Sequence, residues 1–380
     1  MDVREARHVV SCLPIDKFTS CASDVDASLD TAGIPSGEGG WRLPRSNTRR
    51  SPSRREASAA VPSGRVVVSP DAIAGIVVRA HGLWFEVKLL EGPRRDQVLI
   101  ATVRGQLKKH RRQTDIVAVG DRVRVVELPD NEAAIEYVEP RTRALVRTAR
   151  NTRDTEQVIL ANPDQVLFVF AVRDPEPHVR MLDRFIILAE LQEIPVRIVV
   201  NKIELDDEEG RAAAERTFGI YRGIYPLHFV SAHTGEGIAD LRAALKGKTS
   251  AVAGPSGVGK SSLLNAIDPT DRRAIGDVSL ATGKGRHTTI GSRLHEIDED
   301  TFVADTPGMR ALAMHAIPGE RLDECYIEMR PFLGHCFYQD CTHVHEPGCA
   351  VRAAVDAGEI GPERYASYVG LRTGDEIGAS

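Results

Sequence analysis

The sequence has no apolar run long enough to cross a membrane, and its opening residues lack the hydrophobic segment of a secretory signal. It also has no excess of positive charge, because 49 Lys and Arg face 54 Asp and Glu, a formal net charge of −5. Contact with nucleic acid would therefore need local basic patches. With 380 residues, 42% of them apolar, we expect a soluble, cytoplasmic protein of two or three domains with no membrane partner.

Residues 1–69 have few features of a folded domain. The segment 41–55 holds six arginines with Pro and Ser and has no acidic residue, a composition that cannot bury a core. We interpret 1–69 as a disordered basic extension, dispensable or produced by a misassigned start codon; a tail that contacts RNA is the less favoured alternative. A transit peptide is disfavoured by four acidic residues, Asp24, Asp26, Asp30 and Glu38.

Residues 70–140 show short alternating segments separated by turn residues and no helical period. Five strands in about 70 residues predict an OB-type β-barrel, a fold whose face and loops often hold oligonucleotides. The predicted strands are Ile73–Ala80, Leu83–Leu89, Val98–Val103, Arg122–Leu128 and Ala133–Val138.

Two basic stretches lie in and after this segment. Residues 104–112 contain five Lys or Arg and no acid; as a barrel loop they would contact RNA phosphates, the interpretation we favour over a merely solubilising loop. The second stretch has no acid between 141 and 153, and it either faces RNA or the nucleotide or caps a domain junction. Its arginines are Arg141, Arg143, Arg147, Arg150 and Arg153.

From 141 to 317, strand and helix patterns alternate. This predicts an α/β domain, a parallel sheet with helices on both faces and a ligand site at the carboxyl ends of the strands. The predicted strands are Val166–Val172, Val196–Val200, Leu227–Ser231, Ser250–Ala253 and Thr301–Ala304. The predicted helices are Met181–Glu193, Asp206–Thr217, Ile238–Leu245 and one that begins near Lys260.

A phosphate-binding loop follows the fourth of these strands. Residues 254–261 match G-x-x-x-x-G-K-[ST] between an apolar strand and a helix, where the pattern is seldom accidental. Its glycines let backbone N–H groups face phosphate oxygens, Lys260 would reach the β- and γ-phosphates, and Ser261 would ligate Mg²⁺. The residues predicted to bind nucleotide here are Gly254, Pro255, Ser256, Gly257, Val258, Gly259, Lys260, Ser261 and Ser262.

The base-reading residues come earlier in the chain. Asn201-Lys202-Ile203-Glu204 differs from the Asn-Lys-x-Asp of GTPases by one methylene, and its carboxylate could still accept two hydrogen bonds that guanine donates and adenine cannot. The alternative, a strand end followed by a helix start, is opposed by Ser231-Ala232 at the usual base-supporting position. We therefore predict that guanine selectivity survives the longer side chain of Glu204.

Two further segments would contact the γ-phosphate and Mg²⁺. In Asp305-Thr306-Pro307-Gly308, Asp305 would hold Mg²⁺ through water and the Gly308 N–H would meet the γ-phosphate. Either Thr288 or Thr289 would add a hydroxyl ligand from a switch loop. In an ordinary GTPase the phosphate loop comes first and the base-reading motifs last; the reverse order here predicts a circularly permuted P-loop GTPase domain.

One expected group is missing from this set. Ras-like GTPases place a water-orienting glutamine just after the glycine, where this chain has Met309. We expect slow intrinsic hydrolysis, with the missing group supplied by His287, by Arg286 or by a macromolecular partner.

Of the six cysteines, four lie between 325 and 349, which favours a metal over disulfides. Cys336, Cys341, His343 and Cys349 have the spacing C-x4-C-x-H-x5-C, a closed set typical of structural zinc; chance clustering is the alternative. With four ligands present, His345 is left out. We predict a small zinc-binding helical domain over 318–380 whose folding depends on the metal. Its predicted helices are Val351–Ala357 and Pro362–Val369.

Taken together, these features resemble the bacterial ribosome-small-subunit-dependent GTPase A (RsgA) family over residues 70–370. The resemblance rests on the barrel, the permuted motif order, Gly-Arg-His-Thr-Thr at 285–289, Ala-Asn-Pro-Asp-Gln-Val at 161–166 and Glu-Pro-Gly-Cys at 346–349. It implies a late assembly factor of the small (30S) ribosomal subunit that binds rRNA through barrel and zinc domain. Such a factor, which we expect to be a monomer, hydrolyses GTP to GDP when the subunit stimulates it.

Two other functions fit part of the pattern. Met309 would suit an RNA-binding scaffold that holds a structural nucleotide with little turnover. A P-loop ATPase is opposed by Asn201-Lys202 and Ser231-Ala232. Hydrolysis of GTP that the small subunit stimulates would distinguish the GTPase from the RNA-binding scaffold.

Overall fold

The computed structural model describes residues 68–104, 116–148, 156–268, 293–305 and 319–374, all within one compact unit that spans 61–380. Nearly all of the predicted basic extension and of the basic loop 104–112 lies outside the described residues, as do Arg150 and Arg153. In the described part, no helix combines the length and the apolar character needed to cross a bilayer.

The first folded segment is a closed five-stranded barrel. Its strands are β1 (Ile73–Ala80), β2 (Trp84–Leu89), β3 (Val98–Val103), β4 (Arg122–Glu127) and β5 (Glu132–Val138). They pair in the order β1-β2-β3-β5-β4, and β4 returns to β1 to close the barrel. The β3–β5 ladder is parallel and the others are antiparallel. Alternate side chains fill the interior, where Val77, Val87, Leu99, Val123 and Ile135 are fully buried. The predicted OB-type barrel is confirmed.

A β-hairpin that was not predicted follows the barrel; it is formed by β6 (Ala144–Thr148) and β7 (Glu156–Ala161). At the entry to this hairpin, the Arg141 guanidinium donates two 2.7 Å hydrogen bonds to the buried carboxylate of Asp121. Asp121 also accepts the backbone N–H of Ala118 at 2.7 Å. Arg141 therefore caps the domain junction, which was the alternative to contact with RNA or nucleotide.

The nucleotide domain is built on a six-stranded part of the sheet. Its strands are β8 (Gln165–Ala171), β9 (Val196–Asn201), β10 (Leu227–Phe229), β11 (Thr249–Ala253), β12 (Arg293–Asp298) and β13 (Thr301–Asp305). In space they run β12-β13-β11-β8-β9-β10, all parallel except β12. The strand that leads into the phosphate loop, β11, is central although the chain enters the sheet at β8. The edge strand β12 was not predicted.

Helices cover both faces of this sheet, as predicted. They are α1 (Val179–Leu191), α2 (Glu208–Gly219), α3 (Ile238–Leu245) and α4 (Lys260–Ile267). Every residue of β8 is buried, and its side chains alternate between two cores. Phe168 and Phe170 pack with α1 and α2, whereas Leu167 and Val169 pack with α3 and α4. The sheet therefore lies between two hydrophobic cores, one on each face.

The C-terminal segment contains short 3-10 turns and two helices, α5 (Ala350–Asp356) and α6 (Pro362–Thr373), close to the predicted bounds. It attaches to α1 through Arg364, which is 1% exposed. The guanidinium pairs with Asp183 of α1, donates to Glu328 at 2.7 Å and lies over the rings of Tyr221 and Tyr326. One buried cation thus joins the two segments.

We expect Arg364→Met to lower the free energy of unfolding by about 3–5 kcal/mol, because the buried Asp183 carboxylate would lose its partner. Thermal or denaturant unfolding measures the effect. Arg222→Met is the matched control, since it removes an exposed pair with Glu215 and should cost less than about 1 kcal/mol. Equal losses for the two variants would refute the importance of the buried pair.

Candidate functional site

The carboxyl ends of the parallel strands bring the predicted motifs to one edge of the sheet. In the β11–β13 ladder, Asp305 lies opposite Val252, two residues before the phosphate loop begins. In the β8–β11 ladder, Ala253 lies opposite Phe168. Asp305 at the end of β13 is therefore a neighbour of the loop.

The phosphate loop folds tightly against β8. A Cβ atom at Gly254 would lie 2.1 Å from the Val169 carbonyl oxygen, so only glycine fits there. Gly257 and Gly259 have φ of 85° and 88°, left-handed values that create concave sets of N–H groups able to bind anions. The Lys260 Nζ donates to the carbonyls of Gly254 and Pro255, at 3.0 and 2.7 Å. Ser261 and Ser262 are half-buried in the first turn of α4, which starts at Lys260.

Asn201 joins the phosphate loop to the base-reading segments. Its side chain is buried, its Nδ2 donates to the Val258 carbonyl at 2.9 Å, and its Oδ1 accepts the Ala232 N–H at 3.1 Å. A Cβ at Gly259 would lie 2.5 Å from the Asn201 Nδ2. A single amide therefore connects three motifs that are up to 57 residues apart in sequence.

Lys202 also lies beside the phosphate loop. Its backbone is left-handed, with φ of 67°, and its Cε lies 3.9 Å from where a Gly259 Cβ would stand. Its Nζ donates to the carbonyl of Asp174. The two lysines of the site, Lys202 and Lys260, thus belong to one pocket rather than to separate surfaces.

Glu204 is on a 3-10 turn, Ile203–Leu205, that the buried side chain of Ile203 anchors in the core. The Oε2 atom of Glu204 is buried and has no hydrogen-bond partner among the described residues. A buried carboxylate oxygen without a donor is unfavourable. The position suits a ligand that donates hydrogen bonds, which is what the guanine edge does.

The Ser231-Ala232 loop is held by its own backbone. The Ser231 Oγ accepts the Thr234 N–H at 2.9 Å, and the Ser231 N–H donates to Glu236 at 2.9 Å. A Cβ at Gly237 would meet the Phe229 carbonyl oxygen at 2.4 Å, so the return of the chain requires glycine. This loop presents the Ala232 N–H to Asn201. The remaining predicted residues lie outside the described part of the chain: His287, Thr288, Thr289 and Gly308, together with Arg286 and Met309.

A second site lies in the C-terminal segment. One ligand atom from each of Cys336, Cys341, His343 and Cys349 falls within 4.8 Å of the others. The His343 Nδ1 is 3.4 Å from the Cys336 sulfur and 3.5 Å from the Cys349 sulfur. Backbone N–H groups of Ala350 and Arg352 point at these sulfurs. His345 is exposed and stands outside the set.

Several supporting groups of this cluster had no clear sequence signal. The Asp323 carboxylate lies 3.5 Å from the His343 Nε2; their hydrogen bond raises the pKa of His343 to about 9 and lowers the pKa of Asp323. Tyr365 and Tyr368 donate to the carbonyls of His343 and Thr342, both at 2.7 Å. A carboxylate on the second ring nitrogen is the usual support for a metal-binding histidine.

Comparison with known proteins decides the family. The model of the RsgA GTPase family matches residues 138–315. The "Small ribosomal subunit biogenesis GTPase RsgA" of Gemmatimonas aurantiaca is 44% identical over 308 residues, which cover 80% of this chain and 97% of that protein. The chain belongs to the RsgA GTPase family. It is therefore a GTP-hydrolysing enzyme, and the sequence prediction of its family is confirmed.

Two solved structures agree with the fold. The crystal structure of YjeQ from Thermotoga maritima has a TM-score of 0.66 and 34% identity, and the match covers 81% of this chain and all of that one. The structure of YloQ, described as a circularly permuted GTPase, has a TM-score of 0.64 and 29% identity, and the match covers 81% of this chain and 97% of that one. The permuted order predicted from the motifs is confirmed.

We expect Asn201→Ala to weaken binding of GDP by about tenfold or more, because two buried hydrogen bonds of about 0.5–1.5 kcal/mol each are lost. A fluorescent GDP analogue measures the affinity. Thr234→Ala in the neighbouring loop, where the hydroxyl makes only a 3.4 Å contact with the Glu236 N–H, should leave it unchanged. Unaltered affinity in the Asn201 variant would contradict the bridging role of this amide.

Proposed function

We propose that this GTPase takes part in biogenesis of the small ribosomal subunit, where the subunit stimulates hydrolysis of GTP to GDP and phosphate. The relative of Gemmatimonas aurantiaca, which this chain matches over 97% of its length, carries that role in its name. The main structural support for nucleotide binding is the buried Asn201 amide. Its hydrogen bonds to Val258 and Ala232 hold the phosphate loop and both base-reading segments together in one pocket. A role in biogenesis of the small ribosomal subunit would place the protein in the cytoplasm.

The base-reading side of the site uses five residues beside Asn201. Glu204 accepts hydrogen bonds from guanine, which relieves its buried Oε2 atom and disfavours adenine. Lys202 packs along the base from its left-handed position. The residues assigned to this side are Asn201, Lys202, Ile203, Glu204, Ser231 and Ala232.

The phosphate side uses the loop 254–262 and the end of β13. Lys260 exchanges its contacts with the Gly254 and Pro255 carbonyls for the β- and γ-phosphates. Ser261 and either Thr288 or Thr289 would supply hydroxyl ligands to Mg²⁺, Asp305 would hold the ion through water, and the Gly308 N–H would meet the γ-phosphate. Bound Mg²⁺ would neutralise the negative charge of the phosphates.

The isolated enzyme has no glutamine after Gly308 to orient the attacking water. Met309 cannot orient water by hydrogen bonding, so His287, Arg286 or the ribosomal subunit supplies the missing group. Slow basal turnover with stimulation by a partner follows from this. The alternative function, an RNA-binding scaffold with a structural nucleotide, predicts that GTP binds but that the subunit does not accelerate hydrolysis.

The flanking domains would bind rRNA and hold the enzyme on the subunit as a monomer. We assign 70–140 to the barrel, 141–317 to the GTPase domain and 318–380 to the zinc domain, after an extension over 1–69. The donor set of three cysteines and one histidine, with amide N–H groups pointing at two sulfurs, fits one structural Zn²⁺. Cys336, Cys341, His343 and Cys349 are the proposed ligands.

The test of this function is GTP hydrolysis with and without purified small subunits. We expect strong stimulation that Lys260→Ala abolishes, because the γ-phosphate loses its cation. Lys246→Ala, an exposed lysine after α3, is the matched control and should behave like the unaltered protein. Binding of GTP without stimulation by the subunit would favour the scaffold instead.

We expect the purified protein to contain one zinc per chain and Cys341→Ser to lower the zinc content. Loss of the metal should also destabilise 319–374, since its small core depends on the cluster. Elemental analysis and thermal unfolding measure the two effects. Cys325→Ala, at a buried cysteine outside the four-residue set, should retain the metal. Equal metal loss in both variants would contradict the assigned ligands.

A further inference from the structure

Besides the junction at Asp121 and Arg141, the barrel meets the nucleotide domain along the β-hairpin formed by β12 and β13. Arg79 of β1 pairs through its backbone with Arg293 at the start of β12. At the other end, Arg95 of the β2–β3 loop lies 3.6 Å from Glu299 in the hairpin turn. Between these points, Lys88 of β2 reaches Glu296 of β12. The barrel therefore contacts this hairpin along its whole length.

Lys88 is an unusual residue for such a contact. Its side chain is 7% exposed, and its Nζ donates to both carboxylate oxygens of Glu296 and lies 3.0 Å from Asp96. The same ammonium stands 5.6 Å from the ring centre of Phe302 on β13. Burial lowers the pKa of Lys88, but the hydrogen bonds from its ammonium to Glu296 and Asp96 outweigh burial and raise it, so the side chain stays charged.

The two hairpin residues that Lys88 touches face each other. Glu296 is the cross-strand partner of Phe302, and further along the same ladder Arg293 is the partner of Asp305. A bulge interrupts the pairing between Glu296 and Asp298. Lys88 thus contacts the hairpin in the regularly paired part of the ladder, between the bulge and Asp305. The contact lies about 10 Å from Asp305 along β13.

Burying the Lys88 ammonium against a Glu296 carboxylate whose side chain is 33% exposed is a costly way to attach one domain to another. Hydrophobic side chains of similar size often give equal or greater stability, and the best-attested advantage of a buried polar pair is that it specifies one register. Here a single register matters, because Asp305 must align with Val252 of β11 to stand beside the phosphate loop.

We propose that the Lys88–Glu296 pair is a positioning contact through which the barrel sets the β12–β13 hairpin, and with it Asp305, against the phosphate-loop strand β11. The inference rests on the assignment of Asp305 to Mg²⁺ made above. Lys88 touches neither the phosphate loop nor the base-reading segments; it acts through the hairpin. A macromolecule that displaces the barrel would thereby alter the Mg²⁺ side of the nucleotide site.

The test compares GTP affinity in Mg²⁺ with GTP affinity in EDTA, using a fluorescent GTP analogue. Lys88→Met should reduce the gain in affinity that Mg²⁺ confers by about tenfold, a size typical of coupling between separate sites. Affinity in EDTA should stay within about twofold of the unaltered protein, since the loop and base contacts are intact. Glu296→Gln, which keeps the side-chain shape, should reproduce the loss, and Lys88→Arg should restore most of it.

The exposed pair Arg95–Glu299 supplies the matched control. It joins the β2–β3 loop of the barrel to the turn of the same hairpin, but its side chains are 50% and 84% exposed, so Arg95→Met should leave the Mg²⁺ effect unchanged. An unaltered Mg²⁺ effect in Lys88→Met or in Glu296→Gln would overturn the proposal. So would an equal loss of affinity in Mg²⁺ and in EDTA, which would mean that Lys88 only supports the fold. Failure of the unaltered protein to bind GTP would instead refute the proposed function.

Discussion

The nucleotide site depends on one buried amide. Asn201 donates to the Val258 carbonyl and accepts from the Ala232 N–H, so the ends of β9, β10 and β11 are held at a fixed separation. These hydrogen bonds depend on the spatial order of the strands and not on their order along the chain. Circular permutation can therefore leave the site intact, provided that the new chain ends and connections lie away from the carboxyl edge of the sheet.

Permutation also decides where the flanking segments attach. The barrel precedes β8 in sequence yet lies against the edge strand β12, and the C-terminal segment packs on α1 at a different part of the domain. Both attachments use a buried cation among aromatic rings and carboxylates: Lys88 with Glu296 and Phe302, and Arg364 with Asp183. Buried charges of this kind specify one arrangement, because an alternative arrangement would leave a charge unpaired. The GTPase domain is thus held from two sides.

Local spacing explains what the sequence could predict. The phosphate loop and the Cys3His set are short motifs, and strands such as Ile73–Ala80 have turn residues on both sides. The strand β12 could not be predicted because its buried residues, Leu294 and Ile297, are three positions apart instead of two. The bulge between Glu296 and Asp298 breaks the two-residue period of a strand. The β6–β7 hairpin was not predicted because its first strand lies in an arginine-rich stretch whose composition resembles a linker. The partners of Lys88 and Arg364 in the other segment, Glu296 and Asp183, are 208 and 181 residues away, and charged side chains in sequence look like solvated ones.

The most direct test of convergence on a single nucleotide is a crystal structure with a non-hydrolysable GTP analogue and Mg²⁺. The account predicts guanine between Glu204 and the Ser231-Ala232 loop, the phosphates against residues 254–261, and Mg²⁺ between Ser261 and Asp305. A guanine ring bound away from Asn201, with the phosphates still in the loop, would contradict it.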